Sequence, residues 1–232
     1  MSDPRPPVRL AVARPPVQNS VLGPLYAGRN QLTLIAQLLV CAPVPTLPGR
    51  FTHTIPDGLT PSRHAVHVAM LAPDDALALV IARADGLLGL PGGFVDPGET
   101  LRAAAARELH EELGDAASAL APALTHLGVD REWLARTGLA SHLFCCAATA
   151  EQLRAIARGI VDAPHFLHEI MGALLVHTDL RRFPAAAQLP RRASLENFSR
   201  HNFVANSRAQ LEHALLHAGM IDAPLNSTSP GA

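Results

Sequence analysis

The chain has 232 residues, 48% of them hydrophobic and 17% charged, with a net charge of −1. That much apolar material excludes a disordered chain, and the length suits one domain with appended segments. A near-zero charge excludes a global field for nucleic acid, so any RNA contact would have to be a local patch.

Residues 1–60 are rich in proline, carry no recognisable chemistry, and read as an N-terminal extension. Pro4, Pro6 and Pro7 stand where a secretory signal needs an apolar run. Asp3 and these prolines also argue against a transit helix around Arg5, Arg9 and Arg14. Residues 32–44 are apolar but too short to span a bilayer, and read as a buried strand or helix. Cys41, Cys145 and Cys146 are odd in number and lack metal or CxxC spacing, as expected of small core hydrophobes in a reducing compartment. The expectation is a soluble intracellular protein that does not engage a membrane.

From Arg63 the pattern sharpens. HAVHVAML (64–71) reads as a strand, Ala72-Pro73-Asp74-Asp75 as a turn, and ALALVIAR (76–83) as a second, well-buried strand. Asp85-Gly86 is a turn signal. LLGLPGGFVD follows, with Gly92-Gly93 letting backbone come close to a ligand. Residues 100–113 are rich in Ala, Leu, Arg and Glu and predict a helix after the Pro97-Gly98 turn, stopped by Gly114. Glu108, Glu111 and Glu112 are three and four apart and share one side; Ala105, Leu109 and Leu113 face a core from the neighbouring side. Three carboxylates so crowded repel unless a cation sits among them, and hard oxygen ligands favour Mg2+ or Mn2+. A solvated acidic face is the competing reading, but it explains neither the glycines nor the arginine at their spacing.

Beyond the helix, LASHLFCCAAT (139–149) reads as a strand, residues 150–160 as a helix capped by Thr149, and HEIMGALLVH (168–177) as a further strand. A loop with Arg181, Arg182, Arg191 and Arg192 follows; it reads as solvated, with RNA phosphate contact as the other possibility. Residues 203–218 predict a terminal amphipathic helix with Val204, Leu211 and Leu215 inward and Gly219 as stop. Residues 222–232 read as a flexible tail. The expected class is α/β, a mixed sheet sandwiched between helices, with residues 61–221 as the domain.

Residues 93–114, GFVDPGETLRAAAARELHEELG, fit the Nudix box, and the stretch resembles the Nudix hydrolase family. One position departs: the family has an apolar residue after the last glycine, where this chain has Asp115. RHAVHVAMLAPD (63–74), LGLPGGFVD (88–96), SHLF (141–144), HEIMG (168–172) and NFVANSRAQLEHAL (202–215) are similar to the snoRNA-decapping and inosine diphosphatase branch. The resemblance covers about residues 63–221.

That resemblance implies roles. Gly93, Glu99, Arg107 and Gly114 would be structural positions of the box, Glu99 bracing Arg107. Gly92, through its carbonyl, would ligate metal with Glu108, Glu111, Glu112 and His126. Glu108, Glu111, Glu112 and Glu169 would be catalytic, with Glu111 or Glu169 as base. His67, Arg83, Leu90, Phe203 and Gln210 would bind the purine; Leu90 replaces an aromatic residue and so removes a stacking surface. On residue type alone, His67 is more often a structural strand histidine, and Arg83 could equally be a strand-edge cap and Gln210 a solvated helix residue. The implied activity is hydrolysis of a phosphoanhydride next to a nucleoside, in capped RNA or (deoxy)inosine diphosphate. The implied setting is a homodimer, nuclear or nucleolar, or cytoplasmic. Two other classes stay open: a small-molecule nucleoside diphosphate pyrophosphatase, and a non-catalytic module binding RNA or protein.

Overall fold

A computed structural model describes residues 49–179 and 195–225. Residues 32–44, Cys41, Arg181, Arg182, Arg191, Arg192 and most of the tail lie outside these. The described elements run β1 (Phe51–Thr52), β2 (Arg63–Ala72), β3 (Leu77–Arg83), β4 (Leu88–Gly89), β5 (Gly92–Phe94), α1 (Leu101–Leu113) and α2 (Asp115–Ser118). They continue with β6 (Thr125–Asp130), α3 (Arg131–Thr137), β7 (Leu139–Ala147), α4 (Ala150–Gly159), β8 (Ile170–His177), α5 (Leu195–Phe198) and α6 (Ser207–His217).

All eight strands among the described residues join one mixed sheet, ordered β1-β6-β7-β2-β3-β4, with β5 added to β2 and β8 to β3. β2 and β7 run parallel, and the other pairs are antiparallel. β2 and β3 pair only from Met70 to Ala72. Below that point they part: β2 takes β5 as neighbour at Ala65–His67, and β3 takes β4 at Ile81–Ala82. The functional residues gather around this split.

Alternation along the strands sends side chains to two cores. Val66, Val68, Met70, Leu79 and Ile81 pack under α1 and α4, meeting Ala105, Leu109, Leu113, Leu153 and Ile156. Ala69, Leu71, Val80 and Leu143 pack against Leu211, Ala214 and Leu215 of α6. The sheet therefore lies between helices, the α/β class expected. Thr149 caps α4 in a reciprocal box with Gln152, and Thr100 caps α1 by accepting from Ala103 N–H.

Three expectations shift. The fold starts before residue 61: Phe51–Thr52 pairs with β6, and Arg50 is buried against Asp130. The last helix begins at Ser207, because residues 202–204 run beside β4, with Leu88 N–H donating to Asn202 O and Val204 N–H to Leu88 O. Two stretches that no pattern flagged, β6 and α3, are ordered elements. β6 is short and polar at its start, and α3 has Asp130 as cap, its carboxylate accepting from Trp133 N–H.

Candidate active site

The site starts from two adjacent glycines with different tasks. Gly92 has φ +148, and a Cβ there would lie 2.1 Å from Val66 O, so only glycine lets β5 press against β2. Gly93 makes room for a side chain: its Cβ would meet Glu108 Oε1 at 2.4 Å. Across this gap Gly92 N–H donates to Glu112 Oε2 at 2.8 Å. One strand and one helix thus hold two carboxylates against bare backbone.

Arg107 ties the loop to the helix. Its Nε donates to Glu99 Oε1 at 3.1 Å, and its Nη2 to Glu99 Oε2 at 3.1 Å and Phe94 O at 2.9 Å. Its Nη1 donates to Glu108 at 2.8 Å and to Glu111 at 2.9 Å. The pairing holds the Glu99 carboxyl below its usual range and pushes the Arg107 guanidinium pKa upward. Gly114 ends α1 at φ +80, its N–H donating to His110 O. Asp115 opens the short α2 with an almost fully exposed side chain, so the missing apolar residue is no core loss.

Glu108 and Glu112 are not on a solvated side; they are 6% and 0% exposed. Burial pushes Glu108 up to about 7 and Glu112 well above the ordinary carboxylate range. The nearby Glu169 carboxylate adds to both shifts, while the Gly92 N–H and Arg83 oppose the one at Glu112. Glu169 reaches the cluster from the loop ahead of β8. That loop is tied to α1 by His165 N–H donating to Glu111 O at 2.8 Å, and Ala84 N–H donates to Glu169 O.

The residues fit a divalent cation. Glu112 Oε1 is buried and has no hydrogen-bond partner, an atom that a cation would satisfy beside a second buried carboxylate. Glu108 and Glu112, with the partly exposed Glu111, would hold it. Among the described residues no three His, Cys, Asp or Glu side chains converge as a ready cage, and Arg107 meanwhile bridges Glu108 and Glu111. His126 lies in a histidine row: His142 Nδ1 is 3.4 Å from His126 Nε2, and His142 Nε2 is 3.0 Å from His64 Nδ1.

The residues assigned to the purine divide. His67, opposite Gly92 in the strand register, is kept neutral by burial and by Arg83, which push it down to about 4. Its Nδ1 lies 3.2 Å from Ser141 Oγ and 3.3 Å from Gln210 Nε2. Gln210 is fully buried, not a solvated helix residue. The Arg83 guanidinium pairs with Asp85 through Nε at 3.1 Å and Nη2 at 3.0 Å. Leu90 and Phe203 lie in the α6-side core, 2% and 4% exposed, with Phe203 edge-on to Phe198. Ser141, Asn206, Asp130 and Arg50 join this side of the site unforeseen. Ser141 and Asn206 stood inside the SHLF and NFVAN stretches, but nothing in their spacing told of contact.

The fold, the glycine-flanked acidic helix and its arginine brace together define a Nudix hydrolase, a class that generally uses divalent metals. The family model Nudt16-like, described as U8 snoRNA-decapping enzyme-like, matches residues 64–221, and the chain belongs to this family. The U8 snoRNA-decapping enzyme of Ovis aries is 32% identical over 176 residues, covering 69% of this chain and 84% of that protein. The Xenopus laevis enzyme of the same name is 30% identical over 171 residues, covering 66% and 74%. A mutT/nudix family protein from Listeria innocua is similar in structure, with TM-score 0.45 and 19% identity over 69% of this chain and 96% of that one. No helix among the described residues is long and apolar enough to cross a membrane.

Proposed function

We propose that the chain is a metal-dependent hydrolase of a phosphoanhydride adjoining a nucleoside, acting on the 5′ cap of RNA, on (deoxy)inosine diphosphate, or on both. The observation that carries this is the unpartnered, buried Glu112 Oε1 beside buried Glu108. Bound there, Mg2+ or Mn2+ supplies charge neutralisation of the diphosphate and a more acidic water. Gly92 N–H and Arg107 keep the carboxylates in place. Glu111 or Glu169, whose side chains reach solvent, takes the proton of the attacking water. Phosphorus is attacked in line and the leaving phosphate departs. His67, Arg83 and Gln210 would select the base.

Product analysis with capped RNA and inosine diphosphate side by side tests the reading. Capped RNA should yield a 5′-monophosphate end with 7-methylguanosine diphosphate; inosine diphosphate should yield the monophosphate and phosphate. Hydrolysis of neither would refute it. The net charge of −1 favours, as a second reading, a small-molecule nucleoside diphosphate pyrophosphatase. RNA binding that does not weaken steeply with salt would select that reading.

The proposal includes a homodimer in the nucleus, nucleolus or cytoplasm. The apolar residues Leu211 and Leu215 of α6 are spent on the chain's own core. Exposed Met171 and Leu174 on β8 are the better support for an interface. A 24.5 kDa particle in light scattering would overturn the dimer.

A further inference from the structure

Between α6 and the sheet lies a row of buried polar groups that hydrolysis does not use. It begins at the Asp130 carboxylate, which accepts from Arg50 Nη2 at 2.7 Å, from Arg50 Nε at 3.0 Å and from Trp133 N–H at 3.0 Å. Asn206 Nδ2 donates to Asp130 Oδ2 at 3.0 Å. An amide whose nitrogen serves a carboxylate must turn its oxygen to the next neighbour. That neighbour is Ser141, whose hydroxyl donates to Asn206 Oδ1 at 3.3 Å. A serine has one hydrogen to give, and with it committed to Asn206 Oδ1 or to His67 Nδ1 at 3.2 Å, Ser141 Oγ can only accept from Gln210.

Gln210 Nε2 lies 3.0 Å from Ser141 Oγ and donates to it. The reverse amide orientation would set two oxygens 3.0 Å apart with no hydrogen between them. The Ser141 hydrogen is therefore held away from Gln210, by Asn206 under the Asp130 carboxylate and by His67 Nδ1, and this decides which way Gln210 faces. The atom left over is Gln210 Oε1, buried and without a hydrogen-bond partner. His67, against the same amide nitrogen, connects the row to the region of Gly92 and Arg83.

We propose that Asp130, Asn206 and Ser141 are positioning residues for base selection: they fix the Gln210 amide so that its carbonyl, not its NH2 group, is offered to the purine. This rests on the reading of His67, Arg83 and Gln210 as the base site. An acceptor there suits a purine with a hydrogen on N1, as in hypoxanthine and guanine. Adenine brings a bare N1 and leaves both acceptors unpaired.

The test measures dissociation constants of inosine and adenosine monophosphate by calorimetry for wild type, Ser141→Ala, Asn206→Ala and Gln210→Leu. In wild type inosine monophosphate should bind more tightly. Ser141→Ala and Asn206→Ala should each lower that preference by roughly fivefold or more, chiefly by weakening the inosine nucleotide, with kcat on inosine diphosphate changed much less than KM. If both variants keep the preference while Gln210→Leu abolishes it, the positioning proposal fails and the base site stands. If Gln210→Leu keeps it, both fall. Should the buried variants fail to fold, the wild-type protein decides by NMR. Gln210 side-chain NH2 protons should exchange slowly and show proximity to Ser141 and His67. Freely exchanging protons, or proximity to the opposite side, would overturn the proposal.

Discussion

The two faces of the sheet carry the same kind of apolar core and opposite kinds of polar chemistry. Under α1, carboxylates are buried with one oxygen unsatisfied, braced by a single arginine and two glycines. Under α6, amides, a serine and one ion pair are buried in a nearly closed row of hydrogen bonds. Buried polar groups in proteins are normally satisfied, so the α6 face reads as a built scaffold and the α1 face as one awaiting a ligand. On the α1 face acidic groups are kept for a ligand, and on the α6 face polar groups hold one another in position.

The largest effect should come from removing charge on the α1 face. Glu112→Gln keeps a carbonyl for the Gly92 N–H but removes the negative charge, so turnover should fall by about two orders of magnitude or more at saturating Mn2+. Because burial already disfavours the charged form, the variant should melt no lower than wild type without metal. Turnover close to wild type would break the contrast between the faces.

That contrast was half legible in sequence. The helix, its caps and its arginine follow from local spacing, where three- and four-residue intervals place side chains on one side. What spacing hid was depth: Glu108 and Glu112 read as a solvated or metal-facing side, yet β5 covers them, because two glycines let that strand approach. The α6 face was scarcely legible. Arg50 meets Asp130, and Ser141 meets Gln210, only after the chain has folded back through β6 and β7, and no period in a sequence reports such pairs. Gln210 and His67 entered through resemblance alone, as did Leu90 and Phe203, which pack as core.

An effect on stability, not on turnover, should come from opening the scaffold face. Arg50→Ala leaves the Asp130 carboxylate buried without its ion pair, which should cost about 3–5 kcal/mol of stability in urea unfolding. Asp130 then keeps only the Asn206 and Trp133 donors. A loss below about 1 kcal/mol would mean that the pair behaves as a surface bridge and the row is no scaffold.

The smallest effect is a pair of opposed pH slopes, read without divalent ions. His142, 5% exposed and pushed down to about 4 by burial and its histidine neighbours, stays neutral in the fold while the unfolded chain takes up a proton near 6.5. Its contribution to stability is present above 6.5 and is lost as pH falls toward 4. Glu108, pushed up to about 7, is neutral in the fold while the unfolded chain ionises near 4.5. Its contribution is therefore lost as pH rises from 4.5 toward 7. By proton linkage each should change stability by about 2 kcal/mol between pH 5 and 7, with opposite signs, so that in wild type they largely cancel. Single substitutions separate them. Relative to wild type, His142→Gln should lose stability as pH rises through this window and Glu108→Gln should lose it as pH falls, while His67 and Glu112 keep their own slopes in both variants. Urea unfolding of both variants at pH 5 and 7 in chelator checks the signs. Identical slopes in the two variants would show that neither group sits in the environment its burial implies.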